Sequence, residues 1–308
     1  MKRLVIAGAS GVVGRHLVAK AKTTYDVTVL TRKVDGSEPA EAAAVAWNPR
    51  AAKEKDKASL SALAEVLGGA DALVNLAGAS IAAGRLDDEH KQRVLQSRVD
   101  STETLVEAFK QTSTELPVWF QASAVGYYGD RGDEILDEQS SSQDGSFLSQ
   151  VATEWEGAAE AVKADTRLVI GRLGLVLAKD AEAWQKMLMP IKLFVGGPLG
   201  SGQQWFAWID ADDLASAILF LIDCETCEGV YNLTAPEPVR QKELAQKTAE
   251  KLGRPAFIPA PSFALKLALG EVADALLLTS ARVLPKRLLE TEFSFENSTI
   301  EEELSKLL

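Results

Sequence analysis

Histidine and cysteine are nearly missing from this 308-residue chain, which has two of each. A structural zinc site needs four ligands, and His16 and His90 lie far in sequence from Cys224 and Cys227. No metal centre is therefore expected, and the Cys-x-x-Cys pair reads as two ordinary thiols at a helix end. Positive charge is scarce too: 33 Lys and Arg against 44 Asp and Glu leave a net charge of −11 and an isoelectric point near 4.9. A nucleic-acid backbone or an anionic membrane must be met by clustered cations, so neither is expected as a partner. No apolar run is long enough to span a bilayer. The chain opens on a core-type strand instead of a cleavable signal, which makes the cytoplasm the expected location. Internal repeats and low-complexity segments are also lacking. The remaining composition, 46% hydrophobic and 25% charged, is that of an ordinary globular chain able to bury a substantial core.

Glycine, by contrast, is placed with purpose at the amino terminus. The apolar run Arg3 to Ala7 reads as a strand, Gly8-Ala9-Ser10-Gly11-Val12-Val13-Gly14 follows, and a helix begins after it. Gly8 permits a tight turn, Gly11 allows close approach of a pyrophosphate, and Gly14 lets the helix pack on the strand. The free amides and positive end of the helix then face the anion. The spacing is Gly-x-x-Gly-x-x-Gly, and its weight comes from the strand and helix that flank it.

One strand later the sequence speaks to the choice of dinucleotide. Asp26 to Leu30 reads as the second parallel strand and ends in Thr31-Arg32-Lys33, where an NAD site usually carries an acid for the ribose hydroxyls. A cation there accommodates a 2′-phosphate, so NADP is the expected cofactor, with Arg32 as its clamp and Thr31, Ser10 or Lys33 as helpers. An acidic protein can hold such an anion in a locally positive cleft.

Further strands are expected at Ala44 to Trp47, Ala72 to Gly78, Pro117 to Ser123, Arg167 to Leu173 and Gly229 to Leu233. Helices are expected near 60–67, 87–111, 147–162, 214–222, 242–252 and 262–269, with a short one from Ser298. This alternation predicts an α/β fold: a doubly wound parallel sheet of Rossmann type with a smaller, mainly helical C-terminal or substrate lobe. Residues 1–235 form the dinucleotide-binding part, 179–213 contribute to the substrate side, and 236–308 form the small terminal domain. The glycine loop 196–202 and the stretch Trp205 to Asp213 are candidates for the substrate side.

Taken together, the glycine triplet, Asn75-Leu76-Ala77-Gly78, Ser123 and the Tyr127-Tyr128-Gly129 turn resemble the extended short-chain dehydrogenase/reductase superfamily. The chain is most similar to its atypical branch of NAD(P)-dependent epimerase family proteins. Trp155-Glu156, Trp208-Ile209-Asp210, Val283-Leu284-Pro285 and Phe293-Ser294-Phe295 also carry that closer likeness. The resemblance implies that Leu76, Ala77, Gly78, Arg98 and Val176 line the cofactor site together with Gly8, Ser10, Gly11, Val12, Val13 and Gly14. It also implies a homodimer seam of long helices, which the sequence itself does not display.

In that superfamily a Tyr-x-x-x-Lys pair on the helix after the fifth strand carries the proton chemistry. Here the matching helix places Val151 with Trp155, or Ala152 with Glu156, at those positions. Ser123 matches the serine that bonds the substrate oxygen, and Tyr127 or Tyr128 stands as the substitute acid. Arg172 reads either as a cofactor-side residue or as a structural ion-pair residue. The expected function is hydride transfer on a small polar substrate by an oxidoreductase or epimerase; the alternative is a catalytically impaired NADP(H)-binding sensor or regulatory interaction protein.

Overall fold

Strand β1, Lys2–Ala7, sends Leu4 and Ile6 into one hydrophobic core and Val5 and Ala7 into another. The two-residue period of a strand thus buries both faces, the condition under which a sheet is covered by helices on either side. The computed structural model describes every residue except Ser37, Ala40, Glu41, Gln143 and Asp144. Helix α1, Val12–Ala21, follows β1, and then come β2, Tyr25–Thr31, and β3, Ala43–Ala46. Helices α2, Ala51–Glu54, and α3, Lys57–Leu67, lead to β4, Ala72–Asn75. The long α4, Asp88–Phe109, starts at an Asp87 side chain that accepts from the His90 amide, and β5, Val118–Ala124, comes after it.

The short β6, Ile135–Leu136, precedes α5, Phe147–Ala159, whose first turn is capped by Ser146. Strands β7, Arg167–Leu173, and β8, Leu175–Leu177, are followed by α6, Glu182–Lys192, then β9, Trp205–Phe206, and β10, Trp208–Asp210. Helix α7, Ala211–Asp223, leads to β11, Gly229–Leu233, β12, Val239–Arg240, α8, Gln241–Leu252, and α9, Ser262–Leu269. The tail contributes β13, Arg282–Val283, α10, Lys286–Leu289, and α11, Ile300–Leu307.

The main sheet has seven parallel strands in the order β11-β7-β5-β4-β1-β2-β3. The chain winds outward from β1 in both directions, as the alternating pattern predicts, so a crevice opens at the carboxyl ends of β1 and β4. The lobe is built differently. Pairs β8–β10, β9–β12 and β6–β13 are two or three residues long, too short for a periodic signal in the sequence. Leu177, Trp184 and Trp208 share one core with Leu244, Leu304 and Leu307, so segments near 179–213 and the terminal helices pack as a unit.

The cysteines depart from expectation. Cys224 caps the end of α7, and the Cys227 amide turns back to its carbonyl. This brings the two Cα atoms to 5.4 Å and joins the residues in a disulfide, not as free thiols. Among the described residues no group of His, Cys, Asp and Glu is arranged to hold a metal, and no helix is long and apolar enough to cross a membrane.

Candidate active site

The glycine turn has the geometry its sequence demands. Gly8 adopts a left-handed φ of +88°, and a Cβ there would sit 2.6 Å from the Leu76 carbonyl carbon. A Cβ on Gly14 would meet the Ala9 Cα at 2.5 Å. These two glycines are required by the fold. Gly11 is different: it is exposed, and a Cβ there would find only the Gly8 oxygen at an ordinary 3.5 Å. No contact within the fold therefore requires glycine at this position. As N-cap of α1 it offers no side chain to the first-turn amides, and that turn contains no acid. Uncapped amides beside an exposed glycine form a fitting cradle for a pyrophosphate.

Around this turn the structure gathers most of the expected cofactor residues. The Leu76 amide donates to the Ala7 carbonyl, and Ala77 is held by Asn75, whose side chain is buried against Thr102 and Gln121. Val12 and Val176 pack against the same lobe core. Arg98 reaches back along α4, donates to the Ala79 and Val94 carbonyls and lies over the Trp155 ring at 4.9 Å. Its guanidinium would touch a Cβ on Gly78 at 3.0 Å. Burial with no compensating acid lowers its pKa to about 10, which leaves it a cation at neutral pH. Arg32 is exposed at the end of β2. Thr31, expected as a helper, instead donates its hydroxyl to the Lys33 carbonyl. The Ser10 carbonyl accepts from Arg15, and Arg15 and His16 both meet Asp180 across from the turn.

The expected catalytic residues lie deeper in the fold. Ser123 is 2% exposed and donates its hydroxyl to Glu156 at 2.6 Å. Glu156 also receives two bonds from Arg172, at 2.8 and 2.9 Å, and this guanidinium donates to the Tyr128 hydroxyl at 3.0 Å. Tyr128 in turn donates to Asn232 and is fully buried. Burial pushes its pKa up to about 12, against the opposing pull of Arg172 and Asn232. Ser123 and Tyr128 therefore belong to an internal polar cluster in which their hydroxyls donate to Glu156 and Asn232. Arg172 resolves as a buried ion-pair residue. Tyr127 is the half-buried member, its ring 3.3 Å from the Arg172 guanidinium and edge-on to Tyr128.

The helix that should carry the relay can now be read. Glu156 faces Ser123, and two turns earlier Leu148 lies 3.1 Å from where a Cβ on Gly126 would be. Positions 148, 152 and 156 form one helical stripe, so the face toward the strand ends reads Leu, Ala, Glu. It contains no tyrosine or lysine. The stretch from Trp205 also proves mainly structural. Trp208 is buried, Asp210 caps α7, and Asp213 accepts from the Glu296 and Asn297 amides. Trp205 and Asp212 are half-exposed, and the Trp205 indole donates to Asp133. Glu156 and Asn232 complete this cluster from α5 and β11, and of the two only Glu156, an acid on the buried stripe of α5, carries a signal in the sequence.

A glycine cradle at the first strand of a doubly wound parallel sheet defines a dinucleotide-binding α/β protein of the dehydrogenase and epimerase type. Residues 4–234 match the NAD dependent epimerase/dehydratase family, and the chain belongs to that family. Residues 260–307 match a domain of unknown function, DUF1731. An epimerase family protein of Staphylococcus epidermidis is 36% identical, with 100% of this chain and 99% of the relative covered. The crystal structure of human epimerase family protein SDR39U1 with NADPH is similar at TM-score 0.88 and 31% identity, covering 99% of this chain and 98% of that one. A nucleoside-diphosphate sugar epimerase from Corynebacterium glutamicum is similar at TM-score 0.74 and 31% identity, covering 99% of this chain but 58% of its own.

Proposed function

We propose that the protein is an NADP(H)-dependent oxidoreductase or epimerase-type enzyme acting by hydride transfer at a carbon that bears oxygen. The observation that carries this reading is the uncapped start of α1 at exposed Gly11, with Arg32 where an acid would select NAD. The similar human protein in complex with NADPH supports the same coenzyme. When bound, the nicotinamide supplies or accepts the hydride. The chain's own residues hold the pyrophosphate at Gly8 to Gly14, the 2′-phosphate at Arg32, and the inner face of the coenzyme at Leu76, Ala77, Gly78, Arg98 and Val176. Tyr127 is the proton donor or acceptor of this scheme, its ring seated on Arg172. The cytoplasmic setting and self-association through the long helices α4 and α5 belong to the same proposal.

Titration calorimetry tests the coenzyme assignment. Arg32→Glu is expected to weaken NADPH at least ten-fold while leaving NADH nearly unaffected, in keeping with the loss of a charge-assisted phosphate contact. An unchanged preference would refute the clamp. A second reading, a non-catalytic NADP(H) sensor, is favoured by the missing relay on α5 and by the internal commitment of Ser123. Tight NADPH binding without turnover on a broad carbonyl panel selects it.

A further inference from the structure

Helix α7 ends in a turn that carries both cysteines, and hydrogen bonds hold that turn apart from the bond between the sulfurs. The Cys224 amide donates to the Phe220 carbonyl at 2.9 Å, and the Cys227 amide donates to the Cys224 carbonyl at 3.1 Å. From the start of β7, the Arg167 guanidinium donates to the carbonyls of Leu221, Ile222 and Cys227 at 3.0, 2.7 and 2.6 Å. Asp223, next to Cys224, accepts from Tyr25 on β2 and from Lys2 on β1. A cross-link between residues only three apart also restricts the unfolded chain little, because the entropy it removes grows with the loop it closes. The turn therefore has the bonds to keep its shape whether the sulfurs are joined or separate.

The two sulfurs differ in access. Cys227 is 3% exposed and shares a core with Ile222 and Tyr231. Cys224 is half-buried at the rim of that core, and its Sγ lies 3.5 Å from the hydroxyl of exposed Thr226. A thiolate arriving from solvent meets Cys224 first, so Cys227 is the sulfur that leaves. Glu225 and Glu228 stand exposed on the same turn, and an anionic thiol approaches against their charge.

The site is also remote from the coenzyme cradle. Arg167 opens β7 and Leu173 closes it at the cleft edge, and a strand of seven residues at about 3.3 Å each spans roughly 20 Å. Hydride does not cross such a distance, so electrons for this pair come from another donor.

We propose that Cys224–Cys227 is a reversible two-electron redox site, opened through Cys224 by a dithiol reductant and independent of the coenzyme. A thiolate of the reductant attacks Cys224 Sγ, the protein S–S bond breaks, and its electron pair leaves on Cys227 Sγ, which takes up a proton. The second thiol of the reductant then attacks the mixed disulfide. The reductant closes to its own disulfide, and Cys224 leaves as a thiolate and is protonated. A monothiol lacks this second step, and the adjacent Cys227 expels it from the mixed disulfide.

The test exposes the native full chain to dithiothreitol and, separately, to glutathione at the same thiol concentration, with iodoacetamide alkylation and mass spectrometry as the readout. Both cysteines are expected to be alkylated after dithiothreitol and neither after glutathione, and NADPH alone should leave the bond closed. The reduced chain should keep a nearly unchanged melting temperature, and oxidised dithiothreitol should close the bond again. Single variants read the order of attack. With oxidised glutathione, Cys224 in Cys227→Ser should react at least about ten-fold faster than Cys227 in Cys224→Ser, because thiol reactivity follows access. Five results each overturn the inference: alkylation of both cysteines without reductant, reduction by NADPH alone, reduction only in urea, a reduced chain that melts far below the parent, or equal reactivity of the two variants.

Discussion

Severing the Glu156–Arg172 pair should be among the most damaging single changes in the sheet's carboxyl edge. The two side chains are 12% and 4% exposed, and the guanidinium makes two bonds to the carboxylate and one to Tyr128. Arg172→Met would leave the carboxylate enclosed with only the Ser123 hydroxyl, at a cost of about 3–5 kcal/mol. Against a total stability of roughly 5–15 kcal/mol, such a loss is large but leaves a measurable folded population. Replacing both partners, Glu156→Leu with Arg172→Met, removes the stranded charge, and about 1–2 kcal/mol is expected for the double variant. The coupling between the positions should then be at least about 2 kcal/mol. Equilibrium urea unfolding followed by tryptophan fluorescence, carried out on the parent, both singles and the double, measures it. An Arg172→Met cost below about 1 kcal/mol, or a double variant that simply sums the singles, would refute the view that these groups exist to satisfy one another.

Two more outcomes follow from the geometry. Gly11→Ala has room for its Cβ and should keep its melting temperature while losing coenzyme affinity; Gly14→Ala, 2.5 Å from backbone, should lose about 1–3 kcal/mol of stability as well. Calorimetry paired with thermal melts reads both, and equal effects on the two assays at Gly11 would remove its assigned role. Glu303 on α11 is fully buried beside Asp210 and Lys306 with neither carboxyl oxygen partnered, and burial pushes its pKa up to about 9. The folded state therefore holds a proton that the unfolded chain releases above 4.5, so this contribution is complete below pH 4.5 and drains away as pH rises through about 9. Glu303→Gln should accordingly be more stable than the parent at pH 8 and show a flatter melting profile between pH 5 and 9; a less stable variant at pH 8 would contradict the assignment.

The sequence made the coenzyme half legible because its determinants are local. A strand, a turn that only glycine can make and a helix start fall within the first fourteen residues, and Gly8 and Gly14 sit where a Cβ would strike backbone. Strand periodicity likewise gave the parallel sheet, with β3 and β4 shifted by one to three residues at their ends. The other half depends on side chains brought together across the fold. Ser123, Glu156, Arg172 and Asn232 come from β5, α5, β7 and β11, and which hydroxyl faces a cleft or a carboxylate cannot be read from spacing along the chain. The lobe's paired strands of two or three residues carry too little pattern to announce themselves. The disulfide escaped because a turn, not a motif, sets the distance between Cys224 and Cys227.

Glu156 on α5 is bound by Arg172 and Ser123, where a relay helix would carry its proton chemistry. An acid and base at the cleft matter only to the reaction, whereas a buried carboxylate needs its guanidinium for the fold to stand. In the frame that pairs Ala152 with Glu156, the lysine position is thus taken by a member of the structural ion pair. Arg98, by contrast, is a half-buried cation on Trp155 with no carboxylate in ion-pair reach among the described residues. A cation so placed favours an anion in the adjoining groove, and the pyrophosphate or ribose phosphate of the coenzyme is the ligand whose binding would relieve its burial.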